Sequence, residues 1–244
     1  VFTRDPDDMR FNRLTTSLKK FFSGMILVGN AADDSVVRAL NRDSYPIVLL
    51  EKSIKRMRLN TVCTDRIAGA AVMTQHLTSL GLKNLLIVSG EDTALYDKEM
   101  LEELRNSTKK SKNFDSVHFT VAGLPKAGEK FDFQAIENFL RPPHRSDAII
   151  VLNSALVFPL YLALQEKNIR IPQDVALVSM EDGIGFDLLT TPVTRLRRPL
   201  PAMSLKVANI IWSEVKNQGK SKYKRQVNMS PELLVRSSCG SYLK

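Results

Sequence analysis

Two rhythms of apolar residues alternate along the chain. Short unbroken runs occupy residues 24–29, 45–50, 60–64, 84–89, 117–122, 148–152 and 175–180, and they read as buried strands. Between them, apolar residues recur at helical spacing in 11–22, 33–41, 66–80, 94–107, 133–140, 155–167 and 203–217. Residues 1–4 read as the end of a further strand, and 226–237 as a last extended piece. Gly81 stops the long helix of residues 66–80. Buried strands separated by helices imply an α/β fold with parallel sheets, and two such runs separated near Gly81 imply two lobes.

The most informative stretch is 169–183. Pro172 fixes its own φ and turns Ile171 away from helix, so Ile171-Pro172-Gln173-Asp174 reads as a turn before the run 175–180. That strand ends in Glu181 and Asp182, at the carboxyl end of a strand, where open α/β sheets hold their ligands. Asn153 ends the run 148–152 in the same way and offers both a donor and an acceptor, although it could simply cap the following helix. Asp65 follows the run 60–64 and has the same two readings. Arg197 and Arg198 precede Pro199 and could clamp a carboxylate or phosphate, or form a salt bridge to Glu181, Asp182 or Asp65.

Val151-Leu152-Asn153-Ser154, Ile171-Pro172-Gln173-Asp174-Val175, Ser179-Met180-Glu181-Asp182 and Thr191-Pro192-Val193-Thr194-Arg195-Leu196 together resemble the effector-binding core of the LacI/GalR family of transcription regulators. Thr64-Asp65-Arg66-Ile67-Ala68-Gly69-Ala70, His76-Leu77 and the tail Pro231-Glu-Leu-Leu-Val-Arg-Ser-Ser238 extend the resemblance over most of the chain. It implies two Rossmann-like lobes with parallel sheets joined by three crossovers, as in periplasmic binding proteins. One lobe takes residues 1–81 plus 199–222 and the other 82–198 plus 223–244, without the first strand and helix of the amino-terminal lobe. It also implies a small effector in the interlobe cleft, bound by Asp65, Asn153, Glu181, Asp182, Arg197 and Arg198, with Glu181 facing the ligand and Asp182 holding the turn.

A homodimer pairing through helices 155–167 and 66–80, operator DNA read by an amino-terminal domain outside this sequence, and a cytoplasmic setting complete the picture the resemblance implies. The alternative reading is the solute-binding protein of a sugar transporter. Two departures change the expected effector. Asp97 stands where family members carry a ligand-gripping Arg, and Ser154 and Glu181 each stand where Asp is usual. The expected ligand is therefore a sugar derivative, with anionic ligands favoured by the Arg197-Arg198 pair, and not a simple hexose.

Composition narrows the remaining classes. The net charge of +9 is concentrated in Lys109-Lys110-Ser111-Lys112 and Lys220-Ser-Lys-Tyr-Lys-Arg225, which could meet nucleic acid but read first as solvated helix ends and loops. Cys63 and Cys239 cannot build a disulfide framework, and with the scattered His76, His118 and His144 they show no metal-ligand spacing, so neither metal nor cofactor is expected. The uncharged run 148–164 contains Asn153, Ser154 and Pro159, which favour a strand and a capped helix over a membrane span. Gly123-Leu-Pro-Lys-Ala-Gly128-Glu129-Lys130 departs from a P-loop at Glu129 and Phe131, and no nucleophile–base constellation is visible, so no enzyme activity is expected.

Overall fold

The computed structural model describes residues 17–29, 34–54, 56–90, 95–111, 114–123, 125, 129–143 and 145–241, with only the backbone at 95–99 and 111. The expected strand at 1–4, most of the helix 11–22, the Asp97 side chain, His144 and much of the 123–130 loop lie outside the described residues. The chain divides into two units, residues 1–65 with 199–229, and residues 66–198 with 230–244.

In the first unit, strands β1 (Met25–Val28), β2 (Ile47–Leu50), β3 (Thr61–Thr64) and β9 (Gln226–Met229) lie in that order, all parallel. Helix α1 (Asp34–Arg42) packs Val36, Val37 and Leu40 on one face, against Leu27, Ile47 and Leu49. Helix α6 (Leu200–Lys216) packs Met203, Val207 and Ile210 on the other, against Val48 and Val62. Leu49 and Val48 are neighbours in sequence on opposite faces, as a two-residue strand period requires.

In the second unit the order is β10 (Glu232–Leu234), β8 (Thr194–Arg197), β7 (Ala176–Ser179), β6 (Ala148–Val151), β4 (Asn84–Gly90) and β5 (Ser116–Ala122). Only the β10–β8 pair is antiparallel. Leu86, Val88, Ile149, Val151 and Leu177 face Val157, Leu160 and Leu164 of α5 (Val157–Glu166). On the opposite face, Leu85, Ile87, Ile150 and Val178 meet Ala70, Met73 and Leu77 of α2 (Arg66–Ser79) and Met100 and Leu104 of α3 (Leu95–Ser111). Burial on both faces explains why these strands read as solid apolar runs, and each such side chain contributes roughly 1.5–3 kcal/mol.

The units divide at 65/66, 198/199 and 229/230, where the sequence expectation was 81/82, 198/199 and 222/223. The first boundary moves because α2 packs on the second sheet. At Gly69 a Cβ would come within 3.2 Å of Leu196 and Pro231, so glycine eases the close approach of the helix to that sheet. The last boundary moves because the extended piece 226–237 breaks at Ser230-Pro231, with β9 in one sheet and β10 in the other. Three elements also differ in extent. The helix expected at 133–140 is the single turn α4 (Gln134–Glu137), α3 continues to Ser111, and Arg195–Arg197 belong to a strand.

Candidate functional site

The carboxyl ends of the second sheet bring Asn153, Glu181 and Arg198 together. Strand β6 leads through Leu152 to Asn153, whose extended backbone (φ −102°, ψ 119°) and Oδ1 cap the turn Ser154–Leu156, accepting from the Ala155 N–H at 2.9 Å. Its Nδ2 lies 3.7 Å from where a Cβ on Gly90, the last residue of β4, would stand. Strand β7 leads to Glu181, whose bend is fixed by the Ser179 hydroxyl, which donates to the Glu181 carbonyl and accepts from its N–H. The Glu181 carboxylate is 16% exposed. Oε2 accepts from both the N–H and the hydroxyl of Ser154 at 3.1 Å, and Oε1 accepts from Arg198 Nη2 at 2.5 Å. A carboxylate, a guanidinium and a carboxamide from separate strand ends thus form one polar face able to donate to and accept from a hydroxylated ligand.

The other expected site residues lie elsewhere. Asp182 Oδ1 accepts from the Gly183 N–H and from Arg195 Nε. Arg197 reaches Glu232 Oε2 at 2.8 Å, its register partner across the antiparallel β8–β10 pair. Asp65 belongs to the first unit, at the carboxyl end of β3, where its N–H donates to the Met229 carbonyl.

Sequence reasoning missed several polar groups. Ser154 is one, read as a departure from Asp and a helix-cap signal but not as a partner of Glu181. Another is Glu51, at the carboxyl end of β2, which accepts from the N–H and hydroxyl of Thr64. Its backbone φ of 56° lies in the left-handed region. The largest omission is Arg195, 5% exposed, whose fork grips Asp187 at 2.7 and 3.0 Å while Nε holds Asp182 and Nη1 the Val193 carbonyl. Hydrogen bonds from Arg195 and then Arg236 hold the Asp187 carboxyl well below the usual carboxylate range. This network pins the turn that follows Glu181.

His76 Nε2 and Cys239 Sγ, far apart in sequence, lie 3.3 Å apart. Burial pushes that thiol up, but hydrogen bonds from His76, Ser241 and Thr194 outweigh it and bring it down to about 6. Among the described residues no group of three or more His, Cys, Asp or Glu could hold a metal ion, and no helix is long and apolar enough to cross a membrane.

This architecture defines the class: two parallel-sheet α/β units joined by three crossovers, with polar groups at the strands' carboxyl ends. A family model for the periplasmic binding protein-like domain matches residues 74–239. The HTH-type transcriptional regulator GalR of Lacticaseibacillus casei is 22% identical, over 94% of this chain and 70% of its own length. The catabolite control protein A of Staphylococcus epidermidis is 24% identical, over 80% and 58%. A LacI family transcriptional regulator from Enterococcus faecium, solved with bound ribose, superimposes with a TM-score of 0.77 at 18% identity, covering 96% of this chain and 84% of that one. The chain belongs to the periplasmic binding protein-like domain family, and the relatives it resembles include regulators of the LacI/GalR type. These relatives bear the names of regulators, not of enzymes or transport proteins.

Proposed function

We propose that this chain senses a small polyhydroxylated effector at the carboxyl ends of the second sheet, and that binding shifts a conformational equilibrium which sets the operator affinity of the full regulator. The operator itself is read by a separate DNA-binding domain. The observation that carries the reading is the convergence of Asn153, Glu181 and Arg198 from three strand ends. A relative holding ribose supports a ligand of sugar size. Arg197 and Arg198 each already face a carboxylate, Glu232 and Glu181, which weighs against a strongly anionic effector. A neutral or weakly charged sugar derivative instead exchanges its hydroxyls for the Ser154 and Arg198 bonds of Glu181. Asp182 acts through the turn it holds.

The regulator works as a homodimer in this reading. Ile184 (99% exposed) and Leu188 (89%), on the turn after β7, and Phe158 and Leu162 on α5 are large apolar side chains left in solvent. Phe158 and Phe186 stack edge to face at 5.5 Å, tying that turn to the helix. Helix α2, the other expected dimer helix, exposes only Ile67 among the large apolar residues described.

A thermal-shift panel of pentoses, hexoses and their phosphates identifies the effector, since a ligand at a hundred times its Kd stabilises the folded state by about 2.7 kcal/mol. Calorimetric titration of that effector then compares the wild type with Asn153→Ala and Glu181→Ala. Each variant binds at least about tenfold more weakly if the site is right, a loss of about 1.4 kcal/mol. Unchanged affinity in both rejects the site.

A further inference from the structure

The amino-terminal edge of the first sheet gathers a cluster of exposed positive charge among the described residues of that unit. The segments that precede β1, β2 and β9 are tied to one another there. Gly24 lies so close to α6 and the 42–46 turn that a Cβ would stand 2.9 Å from Val215 and 3.2 Å from Pro46. Gly219 (φ +71°) presses on the same turn, its would-be Cβ 1.7 Å from the Ser44 carbonyl oxygen. The Arg225 N–H donates to Asn60 Oδ1 at 2.8 Å, joining the last of these segments to β3.

Two carboxylates lie in these segments, and each is taken. Asp43 pairs with Lys19, and buried Glu214 with Lys224 at 2.7 Å. Lys20, Lys216, Lys220, Lys222 and Arg225 are all exposed and make no ion pair with a described carboxylate. Exposed aromatic rings stand among them. Tyr223, 86% exposed, sits between Lys222 and Lys224, and Trp212, 63% exposed, lies 5.0 Å beneath the Lys216 ammonium.

A charge run alone is usually a solvated surface. Here the cations come from separate segments onto one edge, with their acids already neutralised and with aromatic faces open between them. Cations track a phosphate backbone and aromatic rings stack on bases, so the two side by side match the chemistry of a nucleic-acid strand. We infer that the amino-terminal edge of the first unit binds the phosphate backbone of nucleic acid, without regard to sequence. The surface is separate from the Asn153–Glu181–Arg198 site and stands whether or not that site takes an effector.

The test is fluorescence anisotropy of the whole chain with a labelled duplex and a labelled single strand of equal length, each titrated between about 50 and 200 mM salt. Lys216→Gln, Lys220→Gln and Lys222→Gln are combined in one variant. Lys109→Gln with Lys110→Gln in the second unit is the control, and circular dichroism shows that both stay folded. Because each phosphate contact on a duplex contributes about 0.9 to the slope of log K against log salt, the triple variant loses about 2.7 of that slope while the control keeps it. Tyr223→Ala weakens the single strand about fivefold or more through lost stacking. A triple variant that binds as the wild type does, or an equal loss in the control, overturns the inference. So does a Tyr223→Ala variant that binds the single strand unchanged. Polyglutamate that competes as well as the oligonucleotides, charge for charge, assigns the edge to acidic proteins and overturns it too.

Discussion

Arg195→Met tests whether the turn carrying Glu181 is held in place by charge. The guanidinium is almost fully buried and makes four hydrogen bonds: to Asp182, twice to Asp187 and once to the Val193 carbonyl. Removing one partner of a buried pair costs about 3–5 kcal/mol, because the other charge is stranded. Here the stranded carboxylates can partly rehydrate, since the Asp182 side chain is 35% exposed and that of Asp187 50%. Asp187 also keeps Arg236 at 2.7 Å. The loss therefore falls at the lower end, about 3 kcal/mol. At a urea dependence of about 3 kcal/mol per molar for a unit of this size, the midpoint drops by about 1 M.

Far-UV circular dichroism is the assay for that transition, because the one tryptophan, Trp212, belongs to the first unit and reports on it instead. Arg195→Lys is the companion variant. It keeps the charge but not the planar fork that fits Asp187 bidentately, so it falls between the wild type and Arg195→Met. The effector should also bind more weakly to Arg195→Met, as the bend placing Glu181 loosens. A loss of less than about 1 kcal/mol in Arg195→Met, typical of an exposed ion pair, would show that the network contributes no more than surface charge and refute the reasoning.

Three further outcomes follow from the same region and from the buried thiol. Leu162→Glu with Leu188→Glu converts the proposed dimer to monomer in sedimentation equilibrium at unchanged circular dichroism; a double variant as dimeric as the wild type removes this face from the interface. Gly183→Ala destabilises by about 1–3 kcal/mol, because its Cβ would stand 2.4 Å from the Phe186 ring, a buried side chain that cannot swing away; an unchanged unfolding midpoint would contradict that crowding. Cys239 is depressed from its ordinary 9.0 to about 6 in the folded chain, so the unfolded state holds the proton between those values. The stabilisation is complete above pH 9 and is lost as the pH falls through about 6, at most about 1.4 kcal/mol per pH unit. Urea midpoints of the wild type and Cys239→Ser should therefore diverge as pH rises from 6 to 9, and parallel profiles would exclude the effect.

Much of the fold could be read from residues that repeat a rhythm. Ile149, Ile150 and Val151 point to alternating faces of a doubly covered strand, and the apolar run they make in the sequence is the direct trace of that burial. Boundaries were less legible. Gly81 stops α2, and a stop signal looks like a natural boundary between units. Which sheet a helix joins, however, is decided by side chains far away in sequence, here Leu196 and Pro231 closing on Gly69. The short α4 shows the same limit from the other side. Its apolar spacing suits a helix to Leu140, but the Ser146 N–H takes the Phe139 carbonyl and draws that segment back toward β6.

The candidate site was legible as positions, not as partners. A strand that ends in a polar residue marks the carboxyl edge of a sheet, and Asn153 and Glu181 carry that mark in the bare sequence. Nothing in Thr194-Arg195-Leu196-Arg197-Arg198 tells which arginine meets which acid. Alternation puts Arg195 and Arg197 on one face of β8, yet their surroundings differ. Arg195 is buried under the turn that Phe186 closes, where two aspartates can reach it, while Arg197 sits opposite Glu232 on the outermost pair of the sheet. Arg198, one residue beyond the strand, is released from that alternation and turns back to Glu181. The three arginines therefore do three different things: one anchors a turn, one zips an edge, and one completes the polar face. Charge reversal at each should separate them: at Arg195 stability falls most, at Arg197 little changes, and at Arg198 effector affinity falls with the fold intact.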